Sequence, residues 1–367
     1  MKKRLLLLIM LGSLALSYSQ AKGACEKYLI VGSYSDGTTS GISVYRFDTR
    51  TGDFGFVSDI KGVLNPSYLV VSPDEKNIYS TNEERKGAVT AFSFDKKEGV
   101  LTLLNSQSME GAHPCYINID KDQKFIVTAN YTGGNISYFP LANDGHIKPV
   151  TNVWGMNSTG TSHIHTVVFS PDNRYLFATD LGLDKIYRFN VGKNSALDMD
   201  TENTTFLPKG SGPRHLSFHP NKKFLYCINE LSGTISAFEY KKRKKGPLKL
   251  VQTIASDTTN ASTKGSADIH LTPDGRFLYA SNRLKADGIA IFSVDSKTGK
   301  LTKVGYQETG IHPRNFVISP NGKFLLCANR YSNNIQIFKI DSNTGLLNDT
   351  GKEIHLDQPV CLKWIEQ

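Results

Sequence analysis

The sequence predicts an all-β fold, a seven-bladed β-propeller of four-stranded antiparallel blades, on three observations. First, one pattern recurs six times: Ser-Pro-Asp or a variant of it, a short turn, an apolar strand, then Asn or Asp. The copies are Ser72 to Asn82, Asp120 to Asn130, Ser170 to Asp180, His219 to Asn229, Thr272 to Asn282 and Ser319 to Asn329, starting 47 to 53 residues apart. A period near 50 without helical patterning is that of a propeller, one sheet per repeat. Second, strands of the form Val/Ile-x-x-aromatic number seven: Ile42/Tyr45, Val89/Phe92, Ile136/Phe139, Ile186/Phe189, Ile235/Phe238, Ile289/Phe292 and Ile335/Phe338. Third, the two ends complement each other. Tyr28 to Tyr34 reads as a second strand with no first strand before it, and Gln358 to Trp364 reads as a first strand with nothing after it. Pairing them completes the seventh blade and leaves no free sheet edge.

Each blade then runs from an axial strand a through b and c to an outer strand d. The turns before strand d, at Glu98-Gly99, Asp144-Gly145, Thr298-Gly299 and Thr344-Gly345, carry the glycine that a tight hairpin needs at positive φ.

Met1-Lys2-Lys3-Arg4, the apolar run Leu5 to Leu16 and the small residues of Ser19-Gln20-Ala21 form the three parts of a secretory signal. The apolar run is too short to span a bilayer. The expected organisation is a signal peptide over 1–21, cleaved between 21 and 24, and one propeller domain over 25–367. Cys25 lacks the apolar residue three positions upstream that a lipoprotein carries, so the mature protein is expected to be periplasmic and soluble. The net charge of +9 owes part of its value to Lys241, Lys242, Arg243, Lys244 and Lys245, which read as a solvated hairpin loop before Gly246-Pro247. The basic residues form no aromatic-interleaved stripe, so no nucleic-acid partner is expected, and nothing speaks to oligomeric state. The five cysteines are an odd number without zinc-site spacing. Cys115, Cys227, Cys327 and Cys361 fall in strands as buried thiols, and a Cys25–Cys361 bridge stays open.

Antiparallel strands put the start of strand a and the end of strand b on one face of the disc, beside the axis. Aligning the repeats gives two rings there: Ser67, Cys115, His165, Arg214, Ala267 and Arg314, and then Glu83, Tyr131, Leu181, Glu230, Arg283 and Arg330. His113, His163 and His312 add imidazoles to the same rim. Any one of these charges alone reads best as an ion pair between blades. Together they suit an anionic substrate whose reaction develops negative charge on oxygen, with Arg forks for carboxylate or phosphate and Glu or His to move protons.

Several stretches resemble the seven-bladed lactonase family, which includes bacterial propeller-type 6-phosphogluconolactonases and a fungal carboxymuconate lactonizing enzyme. They are Gly212-Pro213-Arg214-His215, Phe218-His219-Pro220-Asn221, Asn229-Glu230-Leu231-Ser232, Asp180 to Ile186, Ser281-Asn282-Arg283 and His312 to Phe316. The resemblance runs from about Tyr28 to Trp364. It implies a catalytic set of His165, Arg214, Glu230 and Arg283, with no metal and no organic cofactor. The chain departs from the family pattern at Ser162, where Pro is frequent, and at Leu284-Lys285-Ala286-Asp287.

The resulting expectation is a metal-independent lactone hydrolase, 6-phosphogluconolactonase-like, acting on a small anionic or sugar lactone. Glu230, with His165, activates water. Arg214 and Arg283 stabilise the oxyanion, and His113, His163 and Arg314 bind substrate. An exported location points toward a non-phosphorylated sugar lactone. Two alternatives use the same chain: a non-catalytic exported binding module, and a cycloisomerase acting on a dicarboxylate lactone.

Overall fold

The computed structural model describes residues 25–156, 161–193, 196–241, 246, 248–259 and 264–366. The expected signal peptide and the basic residues Lys242, Arg243, Lys244 and Lys245 lie outside them. Seven antiparallel sheets form, each built from strands in the order a-b-c-d. Blade 1 joins the chain ends: Pro359–Glu366 is its axial strand, followed outward by Glu26–Ser33, Ile42–Asp48 and Phe54–Ile60. The pairs Leu29–Trp364 and Val31–Leu362 set the register of that closure.

The repeat motif is the hinge between strands a and b. Ser72, Ser170, Thr272 and Ser319 each accept, on the side-chain oxygen, the N–H of the residue five positions later, at 2.9 to 3.1 Å. Asp120 does the same for Phe125 at 2.9 Å. The third residue after the anchor takes a left-handed backbone, with φ of 57° at Glu75, 56° at Gln123 and Asn173 and 60° at Lys222. Small polar residues at such positions satisfy backbone donors that the turn leaves open.

Blades are also tied rim to rim. Tyr28, Tyr79, Tyr226 and Tyr279, all in strand b, donate their hydroxyls to carbonyls of the following blade's c–d turn: Lys96, Gly145, Gly299 and Gly345. The cores lie between adjacent sheets, where Phe92, Phe139, Phe189, Phe238, Phe292 and Phe338 are buried. These are the aromatic residues of the c-strand pattern.

Two blades depart from the expected outline. After Asp144-Gly145 in blade 3 only an isolated bridge, Leu141–Ile147, forms, and the outer strand begins at Asn152. In blade 4 the outer edge splits into Leu197–Met199 and Thr205–Phe206, because a 3-10 turn at Thr201–Asn203 interrupts it. All five cysteines are free thiols, so the open Cys25–Cys361 bridge is absent. Cys361 instead accepts the N–H of Leu69 at 3.3 Å. No helix among the described residues is long and apolar enough to cross a membrane.

Candidate active site

Both rings form on one face, and each has a backbone cause. In blades 3, 4, 5 and 7 the a–b register slips by one at the first-ring residue, so that Cys115, His165, Arg214 and Arg314 have no partner across the ladder. A bulge of this kind bends the strand and redirects a side chain, here beside the central channel. The second ring is set by a bond repeated in all seven blades. The N–H of Tyr34, Glu83, Tyr131, Leu181, Glu230, Arg283 and Arg330 donates, respectively, to the carbonyl of Gln358, Asn65, His113, His163, Gly212, Gly265 and His312, at 2.7 to 3.1 Å.

Glu230 is clamped between two guanidinium groups. Its Oε2 lies 2.8 Å from Arg214 Nε and its Oε1 lies 3.0 Å from Arg283 Nη2. Burial alone would raise the Glu230 carboxyl, but Arg283, Arg214 and Arg314 outweigh it and hold it below its ordinary value. Arg283 is braced by Nε donating to Gly265 O at 2.8 Å, and burial brings its pKa down to about 10. Arg214 donates through Nη1 to Ala267 O at 2.5 Å, with the same atom 3.3 Å from His215 Nε2. On the far side His215 Nδ1 donates to Asp268 at 2.7 Å. Asp268 also receives His270 Nε2 at 3.0 Å, Phe316 N at 3.2 Å and the amide of Asn315. This ionised, fully paired carboxylate fixes His215 with Nε2 as an acceptor facing Arg214.

His165 is buried, its ring set edge-on to His215 at 5.1 Å and to Tyr131 at 5.7 Å, and its Nδ1 has no protein partner. Burial, then the charges of Arg214, His215, Arg314 and Arg283, hold its pKa well below the usual histidine value, so the imidazole is neutral. A second acid–base cluster lies alongside. Glu83 accepts the Tyr34 hydroxyl at 2.9 Å and meets Arg314 Nη2 at 3.5 Å.

The structure thus brings Arg214, Glu230 and Arg283 into contact, with His165 next to them. Arg314 faces Glu83. His163 lies flat on Tyr131 at 4.5 Å, and His113 Nδ1 meets Thr132 Oγ1 at 2.6 Å. The two departures from the family pattern both find uses. Ser162 donates to Asp180 Oδ2 at 2.7 Å, and Asp287 Oδ1 accepts the N–H of His312 at 2.9 Å. Tyr34 escaped sequence reasoning because strand b of blade 1 ends in Ser33, not in the Asn or Asp that marks the ring elsewhere. Pairing the chain ends into one blade was the signal that could have found it. Among the described residues no group of three or more His, Cys, Asp or Glu gathers as a metal-ligand set.

The site therefore offers buried cations for a developing oxyanion, a fixed carboxylate and a neutral imidazole. The model of the seven-bladed β-propeller lactonases matches residues 28–364. A 6-phosphogluconolactonase of Formosa agariphila is 40% identical, over 89% of this chain and 96% of that protein. The crystal structure of a candidate 6-phosphogluconolactonase from Bacteroides fragilis is 49% identical, with a TM-score of 0.88 over 93% of this chain and 98% of that one. That of a periplasmic gluconolactonase from Pseudomonas aeruginosa is 31% identical, with a TM-score of 0.87 over 93% and 99%.

Proposed function

The chain belongs to the seven-bladed β-propeller lactonase family and is a lactone hydrolase of the 6-phosphogluconolactonase kind, and from that premise we propose how its rim residues open the ring. His165 is the base that activates water, and Arg214 and Arg283 stabilise the oxyanion. The observation that carries this reading is the commitment of both Glu230 oxygens to guanidinium groups. Both Glu230 oxygens are so occupied, whereas the neutral His165 keeps an unpartnered Nδ1, so of the pair Glu230 with His165 expected from the sequence, His165 is assigned as the base. Glu230 aims and partly neutralises the two forks.

In the proposed reaction His165 takes a proton from water as its oxygen attacks the lactone carbonyl carbon. The carbonyl oxygen becomes an oxyanion between Arg214 and Arg283, where pre-set cations in a partly dry site stabilise it most. Collapse breaks the bond to the ring oxygen, which takes the proton back from His165. The acid formed ionises, so each turnover releases one proton. The guanidinium pair supplies the positive charge. His163 and His113 are assigned to the substrate's hydroxyls and Arg314 to a further anion contact. The non-catalytic alternative predicts charges spread evenly over the blades. Their concentration on blades 4 to 7, joined by Glu83 of blade 2 against Arg314, favours catalysis.

We also propose that residues 1–21 direct export and that 25–367 form the single mature domain. The tripartite N-terminus and the periplasmic relative support this. Determining the N-terminus of protein recovered from the periplasmic fraction tests it. For the activity, the purified mature protein is assayed by acid release from aldonolactones against a buffer control, beside Arg214→Ala. If the wild type opens no lactone faster than buffer, or the variant matches it, the assignment is wrong.

A further inference from the structure

We propose that Arg330 and His312, at the seam between blades 7 and 1, form a separate subsite for the substrate's terminal oxyanion, a phosphate or carboxylate remote from the lactone carbonyl. The inference rests on the lactonase reading and extends it to substrate class.

The first support is charge pairing. Four guanidinium groups reach this rim, and three have a carboxylate: Arg214 and Arg283 share Glu230, and Arg314 meets Glu83. Arg330 has no ion-pair partner among the described residues, yet it is held in place. Its Nε donates to Gln358 Oε1 at 3.1 Å, and its guanidinium lies 4.2 Å over the Tyr34 ring and 4.9 Å from the Tyr331 ring. A fork fixed on one edge and stacked on aromatic faces loses little freedom when it binds an oxyanion bidentately.

The second support is His312. It is 8% exposed, and its Nδ1 has no hydrogen-bond partner. Its backbone sits at φ 64° immediately before Pro313, a conformation disfavoured for a residue of this kind. Three contacts hold it there. Asp287 accepts its N–H, its carbonyl accepts the N–H of Arg330 at 3.1 Å, and its ring packs 4.6 Å from Tyr331. The same left-handed residue before proline recurs at Asn65, His113 and Gln358, so this backbone belongs to the blade turn, which fixes where the His312 ring sits. Burial and the neighbouring Arg283, Arg314 and Arg330 bring the pKa down to about 3. The ring is therefore neutral and would offer an N–H to an oxyanion without further crowding of charge.

The third support is space. A cavity of about 730 Å³ opens beside Arg330 and Tyr34, lined further by Asn65, Gln358, Asp36, Asp357 and Glu84, whose Oε1 accepts the Asn65 amide at 2.5 Å. That is within the range of small-molecule sites. Asp36 is turned onto Thr38, accepting its N–H at 2.8 Å and its hydroxyl at 2.7 Å. Amides and carboxylates accept from hydroxyls, which a sugar chain carries between its lactone carbonyl and its charged end. Through Tyr34, bonded to Glu83, the subsite is tied to Arg314 and the reacting rim.

The test uses Arg330→Gln and His312→Asn in the full mature chain, with three lactones: 6-phosphogluconolactone, a glucarolactone bearing a terminal carboxylate, and uncharged gluconolactone. Arg330→Gln is expected to lower kcat/KM for a charged lactone about 10- to 100-fold more than for the uncharged one, mostly through KM. Whichever charged lactone shows the loss identifies the oxyanion. Equal loss on all three, or none, overturns the proposal. Calorimetry with 6-phosphogluconate and glucarate separates this outcome from failure of the lactonase reading, because it needs no turnover. Binding by the wild type that weakens in both variants supports the subsite. Affinity unchanged in either variant, or no binding by the wild type, overturns it.

Discussion

Arg214 and Glu230 meet through Nε and Oε2 at 2.8 Å, yet the arginine side chain is 1% exposed and the glutamate 22%. The cation is therefore the member that cannot recover solvation if the pair is broken. Removing the carboxylate also leaves Arg283 without its partner, so two guanidinium groups would face each other. Glu230→Gln is expected to destabilise the protein by roughly 3–5 kcal/mol, the usual cost of breaking a buried pair. As the forks lose their aim, kcat is expected to fall about 10²- to 10³-fold. Urea denaturation and lactone-opening rates measure the two effects. A variant with wild-type rate would show that the clamp does not orient the oxyanion site.

His165→Asn separates the base from the clamp. The side chain shrinks slightly, and none of the Glu230 contacts depends on it. Loss of a general base is expected to cost about 10²- to 10⁴-fold in kcat, with KM changed far less. Stopped acid-release assays with the spontaneous rate subtracted give that split. A rate loss shared by Glu230→Gln but absent from His165→Asn would return the role of base to Glu230.

The propeller, its closure and both rings were legible because each is dictated by period and strand alternation, which a linear sequence displays. Arg214 and Glu230 stood out because their ring positions in other blades carry Ala267 and Leu181. What could not be read was how the charges divide. Whether Arg314 faces Glu83 or Glu230 depends on side-chain reach across the channel, and no spacing encodes that. His312 lay in view beside a proline. Its role was hidden because an unpartnered ring nitrogen is a fact of packing. The late start of the blade 3 outer strand shows the same limit, since glycine marks a turn without fixing where the next strand begins.

Ring closure rests on eight residues near the C-terminus. Pro359–Glu366 supplies the axial strand of blade 1, and Val360, Cys361 and Leu362 are buried. Ending the chain at Gln358 exposes the edge of Glu26–Ser33 and opens the seam between blades 7 and 1. The truncated chain is expected to lose cooperative unfolding and to self-associate through the free edge. Size-exclusion chromatography and thermal melting read both. A monomer that melts within a few degrees of the intact chain would mean that the other six blades hold without closure.

Acid should unfold this protein through its buried imidazoles. Burial leads the causes that lower the folded pKa of His215 and His312 to about 3, against about 6.5 in the unfolded chain. A folded pKa below the unfolded one means that the unfolded state binds more protons as the pH drops. The stability is therefore complete above about pH 6.5 and is lost as the pH falls from there toward 3. For fully buried His215 alone the loss at pH 4.5 is roughly 2–3 kcal/mol. Asp268, whose pKa is held well below the usual carboxylate range, adds its own loss only below about pH 4. Burial opposes that shift and the neighbouring His270 and His215 drive it. The urea midpoint should be flat from pH 8 to 7 and decline steadily from pH 6 to 4.5, with a shallower decline in His215→Gln. A midpoint that holds constant down to pH 4.5 would mean that these rings are protonated in the folded state, and with them the neutral His165 on which the proposed base depends.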